Sequence, residues 1–336
     1  MRPRVFVVQP IPEVALDVMR EVADVEVFPR LDRHMSEDEL VAAAKRTDYL
    51  FVMGGNLITG QVIRANPNLK GVALVHRRMP QNPIDLDAAR ERNVKVVFPD
   101  PWDHVYSRIC RATCDLAMAM ILDFAYRVFD ADRYTRAGKF KQEHTMALMG
   151  VGCPGKTLGT VGLGRVTEFM VPRARAFEMD VVYTKRTRLP REREREMGVE
   201  WVPDKDEVLK RSDFVSVGVD YNPSTHLMFG EREFALMKPT AYFINIGRGR
   251  IVDEPALVRA LQSGTIAGAG LDVYWNEPPV TREPAPSEEF FKMDNVILCP
   301  HNGGATWDAR GELTKDAARN IAALIKGDEP RGLVKW

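Results

Sequence analysis

Short solid runs of apolar residues alternate along the chain with segments whose apolar residues return every three or four positions. That alternation predicts strands joined by crossover helices, the pattern of parallel sheets. Val5–Val8, Val25–Val27, Tyr49–Met53, Gly71–Val75 and Lys95–Val97 read as a first series of strands. Pro12–Val22 and Ser36–Arg46 read as helices between them, the second opening on a Ser36…Glu39 capping box. A long helix starts near Ser107 and ends around Arg127. A second series of strands follows at Thr157–Val161, Val181–Thr184, Phe214–Val219, Ala241–Ile244, Ala267–Val273 and Val296–Leu298. The last helix, Thr306–Lys326, stops at Gly327. A chain of 336 residues is long enough for two cores, one for each series.

Composition narrows the class. Lys plus Arg and Asp plus Glu are 47 each, so no overall field draws the chain to nucleic acid or to a membrane surface. The greasiest helical stretch, Leu116–Leu122, is stopped by Asp123 and is too short to span a bilayer. Met1-Arg-Pro-Arg leads straight into the first strand-like run, so no leader is expected and the expected location is the cytoplasm. Four cysteines do not suggest a disulfide framework in a chain of this size. Cys110 and Cys114 could face one way on a helix, but no further ligand falls into spacing with them, so no metal is expected.

Candidate chemistry begins at Thr157–Thr167, which reads as strand, Gly162-Leu163-Gly164 turn and helix start. Glycines there let backbone approach a pyrophosphate, whose charge then meets the free N–H groups of a helix N-terminus. Two residues depart from the dinucleotide fingerprint. Thr167 stands at the third glycine, and Pro172 falls inside the predicted helix, which should therefore be kinked or displaced. About twenty residues on, a carboxylate would select NAD by binding the ribose 2′-hydroxyl. The strand instead ends in Lys185-Arg186-Thr187-Arg188. Cations there suit a 2′-phosphate, so NADP is the preferred cofactor and NAD remains possible. The Arg/Glu alternation from Arg191 onward reads as a solvated helix with internal ion pairs.

Three later segments carry a resemblance. Met237–Gly249, reading MKPTAYFINIGRG and followed by Val252-Asp253-Glu254, resembles the catalytic-arginine segment of the D-2-hydroxyacid dehydrogenases, the family of glyoxylate/hydroxypyruvate reductases and phosphoglycerate dehydrogenases. Ala269-Gly270-Leu271-Asp272-Val273 with Glu277-Pro278 resembles the family's aspartate and catalytic-glutamate segment, and Pro300-His301-Asn302-Gly303-Gly304 its histidine segment. The resemblance implies two doubly wound α/β domains. A Rossmann-type cofactor domain, residues 107–304, would be inserted into a flavodoxin-like substrate domain made of residues 1–106 and 305–336. It further implies a catalytic set of Arg248, Glu277 and His301 acting on a small 2-keto or 2-hydroxy acid. Arg248 would hold the substrate carboxylate, His301 would give the proton, and Glu277 would fix the imidazole. Cofactor contacts are expected from Gly162, Gly164, Arg165, Val166, Lys185, Arg186, Arg188, Val219, Thr225, Ile246, Asp272, His301 and Gly303.

The chain also departs from that family. A Gly-rich substrate loop is replaced by His76–Asp85, longer and without glycine, in which Arg77 and Arg78 could bind a second acidic group. Asp220 stands where proline is usual, ahead of Thr225. A dinucleotide-binding scaffold or sensor with weak turnover is the alternative function, and a formate- or phosphite-type dehydrogenase a smaller one. By resemblance a homodimer is expected; the apolar residues Leu116, Met118, Met120 and Ile121 of helix Arg111–Phe124 fit either its interface or the internal core equally well.

Overall fold

The computed structural model describes residues 2–75, 83–99, 104–143, 145–277 and 286–336, with residues 104–106 described as backbone only. The loop residues Arg77 and Arg78 lie outside the described residues. Two compact units are present. One comprises the described residues of Met1–Ile109 and Ala305–Trp336, the other those of Cys110–Glu277 and Glu283–Gly304.

In the first unit, strands β1 (Arg4–Val7), β2 (Asp24–Val27), β3 (Tyr49–Val52), β4 (Gly71–Leu74) and β5 (Lys95–Val97) form a parallel sheet in the order β2-β1-β3-β4-β5. That is the flavodoxin-like order. Phe6, Leu50 and Val52 point into one core and Val5, Val7 and Phe51 into the other. A sheet covered on both faces has no polar face to alternate with, so its strands appear in the sequence as solid apolar runs. Helix Glu37–Ala44 opens with the expected box: Glu39 N–H donates to Ser36 Oγ at 3.2 Å, and Ser36 N–H to Glu39 Oε2 at 2.8 Å.

The second unit holds β6 (Thr157–Val161), β7 (Asp180–Thr184), β8 (Glu200–Trp201), β9 (Phe214–Val217), β10 (Tyr242–Asn245), β11 (Gly268–Leu271) and β12 (Val296–Leu298). Their order is β12-β11-β10-β9-β6-β7-β8, and all pairings are parallel. This is the Rossmann order with one further strand. The chain reverses its direction of progress between β6 and β9, so the loops after those strands flank the crevice where doubly wound sheets bind ligands.

Several expectations are corrected here. Strands β9 and β11 end at Val217 and Leu271, sooner than the apolar runs suggested, because Gly218, Val219, Asp272 and Val273 belong to the loops beyond. The two-residue β8 carries too little apolar pattern to be seen in the sequence. Pro172 does fall inside a helix, Arg165–Ala176, as the sequence placed it. Met170, Val171 and Ala174 are buried along it, and Arg173 Nη1 donates to the Phe169 carbonyl at 2.8 Å, so packing outweighs the lost N–H. Met118, Met120 and Ile121, for which the sequence left dimer interface and internal core open, are buried in the core of their own unit beside Cys114 and Met170. All four cysteines are free, and burial pushes the Cys114 thiol up to about 12. Among the described residues no helix is long and apolar enough to cross a membrane.

Candidate active site

The residues singled out in the second unit follow the C-terminal ends of parallel strands and therefore lie along one edge of the sheet. Gly162 and Gly164 follow β6, Lys185–Arg188 follow β7, and Val219 and Thr225 follow β9. Arg248 follows β10, Asp272 and Glu277 follow β11, and His301 follows β12.

At the crevice the turn after β6 is built by close approach. Gly162 has φ +92°, a conformation that favours glycine. A Cβ there would meet the Gly218 carbonyl oxygen at 2.5 Å and Val219 Cγ1 at 2.7 Å. A Cβ on Gly218 would press on the Gly162 carbonyl and lie 2.7 Å from Thr167 Cγ2. Sequence reading did not single out Gly218. It supplies the closeness that a third glycine would have given, and it leaves room for Thr167. That threonine is 1% exposed. Its hydroxyl accepts Gly164 N–H at 2.8 Å and reaches the carbonyls of Gly162 (3.2 Å) and Gly164 (3.1 Å), closing the turn from inside. Gly164 caps the helix, with Arg165 and Val166 in its first turn. The Gly-x-Gly backbone and helix N-terminus thus fit a dinucleotide pyrophosphate.

The cations after β7 are not equivalent. Lys185 Nζ donates to the Leu163 carbonyl at 3.0 Å, laying its charge across the Gly-x-Gly turn. Arg186 is exposed and makes no hydrogen bond or ion pair among the described residues. Arg188 is committed elsewhere: its guanidinium forks onto Glu194 at 2.8 and 2.6 Å and lies 4.7 Å from the Trp201 ring centroid. This corrects one expectation. Arg188 is held as part of the fold, and Glu194, 6% exposed, is not on a solvated face. After β9, Thr225 accepts Asn222 N–H at 2.8 Å and donates to the Asp220 carbonyl at 2.7 Å, fixing a loop that lacks the usual proline.

Arg248 sits on a short asparagine-stapled turn. Buried Asn245 accepts Gly247 N–H at 3.0 Å and donates to the Arg248 carbonyl at 3.2 Å, while Ile246 is packed into the core below. The half-buried Arg248 guanidinium bonds the Gly247 carbonyl at 2.7 Å and forms no ion pair among the described residues. A Cβ on the adjacent Gly249 would collide with the Tyr274 carbonyl group and come within 2.6 Å of Trp275 N. Glycine at 249 therefore lets the arginine turn touch the segment that carries Glu277.

Glu277 joins the two remaining groups. Its Oε1 accepts Tyr274 N–H at 2.7 Å, and its Oε2 accepts His301 Nδ1–H at 2.8 Å. The histidine side chain is 51% exposed, so Nε2 remains the nitrogen available for chemistry. His301 has φ +52°, unusual for a residue with a side chain. Asp272 accounts for it. This carboxylate is 1% exposed, and its two oxygens accept Asn302 N–H at 2.8 Å and Gly303 N–H at 2.9 Å, gripping the turn on which His301 rides. Burial raises the Asp272 pKa, and the two N–H donors oppose that rise. Glu254, also raised by burial, accepts Trp275 N–H at 3.2 Å and Ser287 N–H at 3.0 Å, bracing the far side of the same loop.

The model of the D-isomer specific 2-hydroxyacid dehydrogenase NAD binding domain matches residues 118–303, more than half of the chain. A glyoxylate reductase of Thermococcus gammatolerans is 39% identical over 339 residues, covering 99% of this chain and 96% of its own. The crystal structure of the TT0316 protein of Thermus thermophilus superposes with a TM-score of 0.84 at 32% identity, covering 99% of this chain and all of that one. An NADPH-dependent glyoxylate/hydroxypyruvate reductase of Sinorhizobium meliloti, solved with NADP and malonate, gives 0.73 at 26%, covering 99% and 97%. With the family's NAD binding domain matched over residues 118–303 and a relative 39% identical along nearly the whole chain, the chain belongs to the D-isomer specific 2-hydroxyacid dehydrogenase family.

Proposed function

We propose that the chain reduces a small 2-keto acid of the glyoxylate or hydroxypyruvate type to the D-2-hydroxy acid, with the catalytic set Arg248, Glu277 and His301. The observation that carries this reading is an arginine without an ion pair among the described residues, on a turn packed against the segment bearing the Glu277–His301 pair. Arg248 binds the substrate carboxylate and polarises the adjacent carbonyl. His301 Nε2–H gives its proton to the carbonyl oxygen as the alkoxide develops, and Glu277 on Nδ1 keeps the ring turned to that task. Asp272 serves the reaction through the backbone of the histidine turn. A bound nicotinamide supplies the hydride to the carbonyl carbon. Gly162, Gly164 and Gly218 would hold its pyrophosphate, with Arg165, Val166, Val219, Thr225, Ile246 and Gly303 lining the same edge. The intact Arg248 and Glu277–His301 geometry favours turnover over the scaffold alternative.

NADPH is the preferred cofactor in this reading, with Arg186 rather than Arg188 meeting the 2′-phosphate. A charge-assisted hydrogen bond contributes about 1.5–3 kcal/mol. Screened at an exposed site, it favours NADPH about tenfold. The same reading makes unit two the cofactor domain and unit one the substrate domain, and assigns Arg77 and Arg78 to substrate. A cytoplasmic location goes with four free thiols. A homodimer is also proposed. With the helix core excluded, its support is the run of exposed apolar side chains Tyr126, Val128, Phe129, Phe140, Met146 and Met149. Light scattering at tens of micromolar should report twice the chain mass, and a monomer there refutes it.

The deciding experiment follows oxidation of NADPH and NADH against a panel of 2-keto acids, with His301→Ala beside the wild type. Turnover with at least one acid, and a kcat about a hundredfold lower in the variant, is the expected result. Dinucleotide binding without turnover on any acid would favour the scaffold, and wild-type rates in the variant would remove His301 from its role.

A further inference from the structure

The segment after β7 is pinned at both ends and free in the middle. At its start Lys185 is tied to the Gly-x-Gly turn. At its end Leu189 N–H donates to Tyr183 Oη at 3.0 Å, and Arg188 forks onto Glu194. Tyr183 is fully buried on β7 and donates its own hydroxyl proton to Glu194 Oε1 at 2.7 Å. One carboxylate therefore collects the tyrosine hydroxyl and two of the three guanidinium nitrogens, Nε and Nη2, while Trp201 on β8 covers the guanidinium face. Between the pins, Arg186 and Thr187 stand exposed without a hydrogen bond among the described residues.

A surface ion pair alone would do little, because exposed side chains spend their entropy to meet. This one is different in construction. Glu194 is nearly buried, its partner is stacked on an indole, and the neutral donor Tyr183 is fixed by a strand. Such an arrangement removes conformations from the loop before any ligand arrives, and preorganisation of that kind appears as affinity.

We propose that Glu194 is a positioning residue for cofactor choice: through Arg188 and Tyr183 it fixes the 185–189 loop so that Arg186 is presented to the 2′-phosphate of NADPH. This rests on the reading that Arg186 meets that phosphate. It assigns Glu194, whose sign is wrong for a phosphate ligand, a role in binding one at second hand.

The test is equilibrium binding of NADPH and of NADH to the whole chain by calorimetry, without substrate, for wild type, Glu194→Gln, Tyr183→Phe, Arg186→Ala and the Glu194→Gln/Arg186→Ala double variant. Glu194→Gln and Tyr183→Phe should each weaken NADPH about fivefold and NADH less than about twofold. The double variant should bind NADPH no worse than Arg186→Ala alone, because a loop without its arginine has nothing left to present. Equal weakening of both dinucleotides by Glu194→Gln, or additive losses in the double variant, overturns the positioning role. If Arg186→Ala lowers the NADPH preference and Glu194→Gln does not, the positioning role fails and the 2′-phosphate reading stands. If Arg186→Ala leaves the preference unchanged, both fall. Should Glu194→Gln not fold, Tyr183→Phe decides, since it releases Leu189 while leaving the Arg188–Glu194 pair in place.

Discussion

Gly218→Ala adds one methyl group at the place where the loops after β6 and β9 touch. The new Cβ would press on the Gly162 carbonyl and lie 2.7 Å from Thr167 Cγ2. Carbon atoms rest about 3.5–4.0 Å apart, so the loops must part by about 1 Å. Neither neighbour can yield cheaply. One is backbone, and the other belongs to a threonine 1% exposed whose hydroxyl closes the turn. Overpacking of this kind costs about 1–3 kcal/mol, or about 2–12 °C in Tm for a domain of this size. Displacing a positioned binding turn by about 1 Å costs up to about a hundredfold in function. Gly218 does not need the left-handed region, so the effect comes from space alone. Gly264→Ala is the control: φ is +70° and nothing lies within 4 Å, so it should destabilise by about 1–2 kcal/mol without touching the site. Fluorescence titration with NADH and thermal unfolding separate the two effects. The expected result is a dinucleotide Kd raised tenfold or more in Gly218→Ala, by about 1.4 kcal/mol, and unchanged in Gly264→Ala. Wild-type NADH affinity in a folded Gly218→Ala protein would refute the assignment of this turn to the cofactor.

Three further outcomes are expected. Asp272→Asn keeps the shape but turns an amide N–H₂ toward Asn302 or Gly303 N–H, leaving a buried donor unmet at about 1–3 kcal/mol, so kcat should fall; an unchanged kcat would release Asp272 from holding His301. The Glu194 carboxyl is held down at about 2 by its hydrogen bonds to Arg188 and then Tyr183. Its folded pKa lies below the unfolded value, so its contribution is present above about pH 4.3 and is lost as pH falls toward 2. Urea midpoints should show a shallower loss across that window in Glu194→Gln, and equal slopes would contradict the pair. Burial raises the Cys114 thiol to about 12 and partial burial the Cys299 thiol to about 11, so a thiol reagent at neutral pH should label the native protein slowly and the unfolded chain fast; rapid native labelling at Cys114 would count against the buried thiol.

The sequence by itself determined the sheets and the edge that carries chemistry. Solid apolar runs such as Tyr49–Val52 and Val5–Val8 read as strands covered on both faces, and their alternation with helices made the sheets parallel. Parallel strands put every loop after a strand on one edge, so the segments of Arg248, Glu277 and His301, singled out by resemblance, could be placed together on that edge from chain order. Local rules that act within four residues, such as the Ser36 capping box, were equally legible. What only the tertiary structure decided depends on partners distant in the chain. Gly218 makes room for Thr167 from 51 residues away, Asp272 grips amides 30 and 31 residues on, and Gly249 is a glycine because Tyr274 crosses it. Arg186 and Arg188 look alike as letters. Both are exposed, but Arg186 has no partner among the described residues and Arg188 is held on a nearly buried carboxylate, a difference set by where Glu194 and Trp201 come to rest. Pro172 lies on the exposed side of helix Arg165–Ala176, and the buried Met170, Val171 and Ala174 beside it hold the helix in place, a contribution that depends on packing and not on local rules.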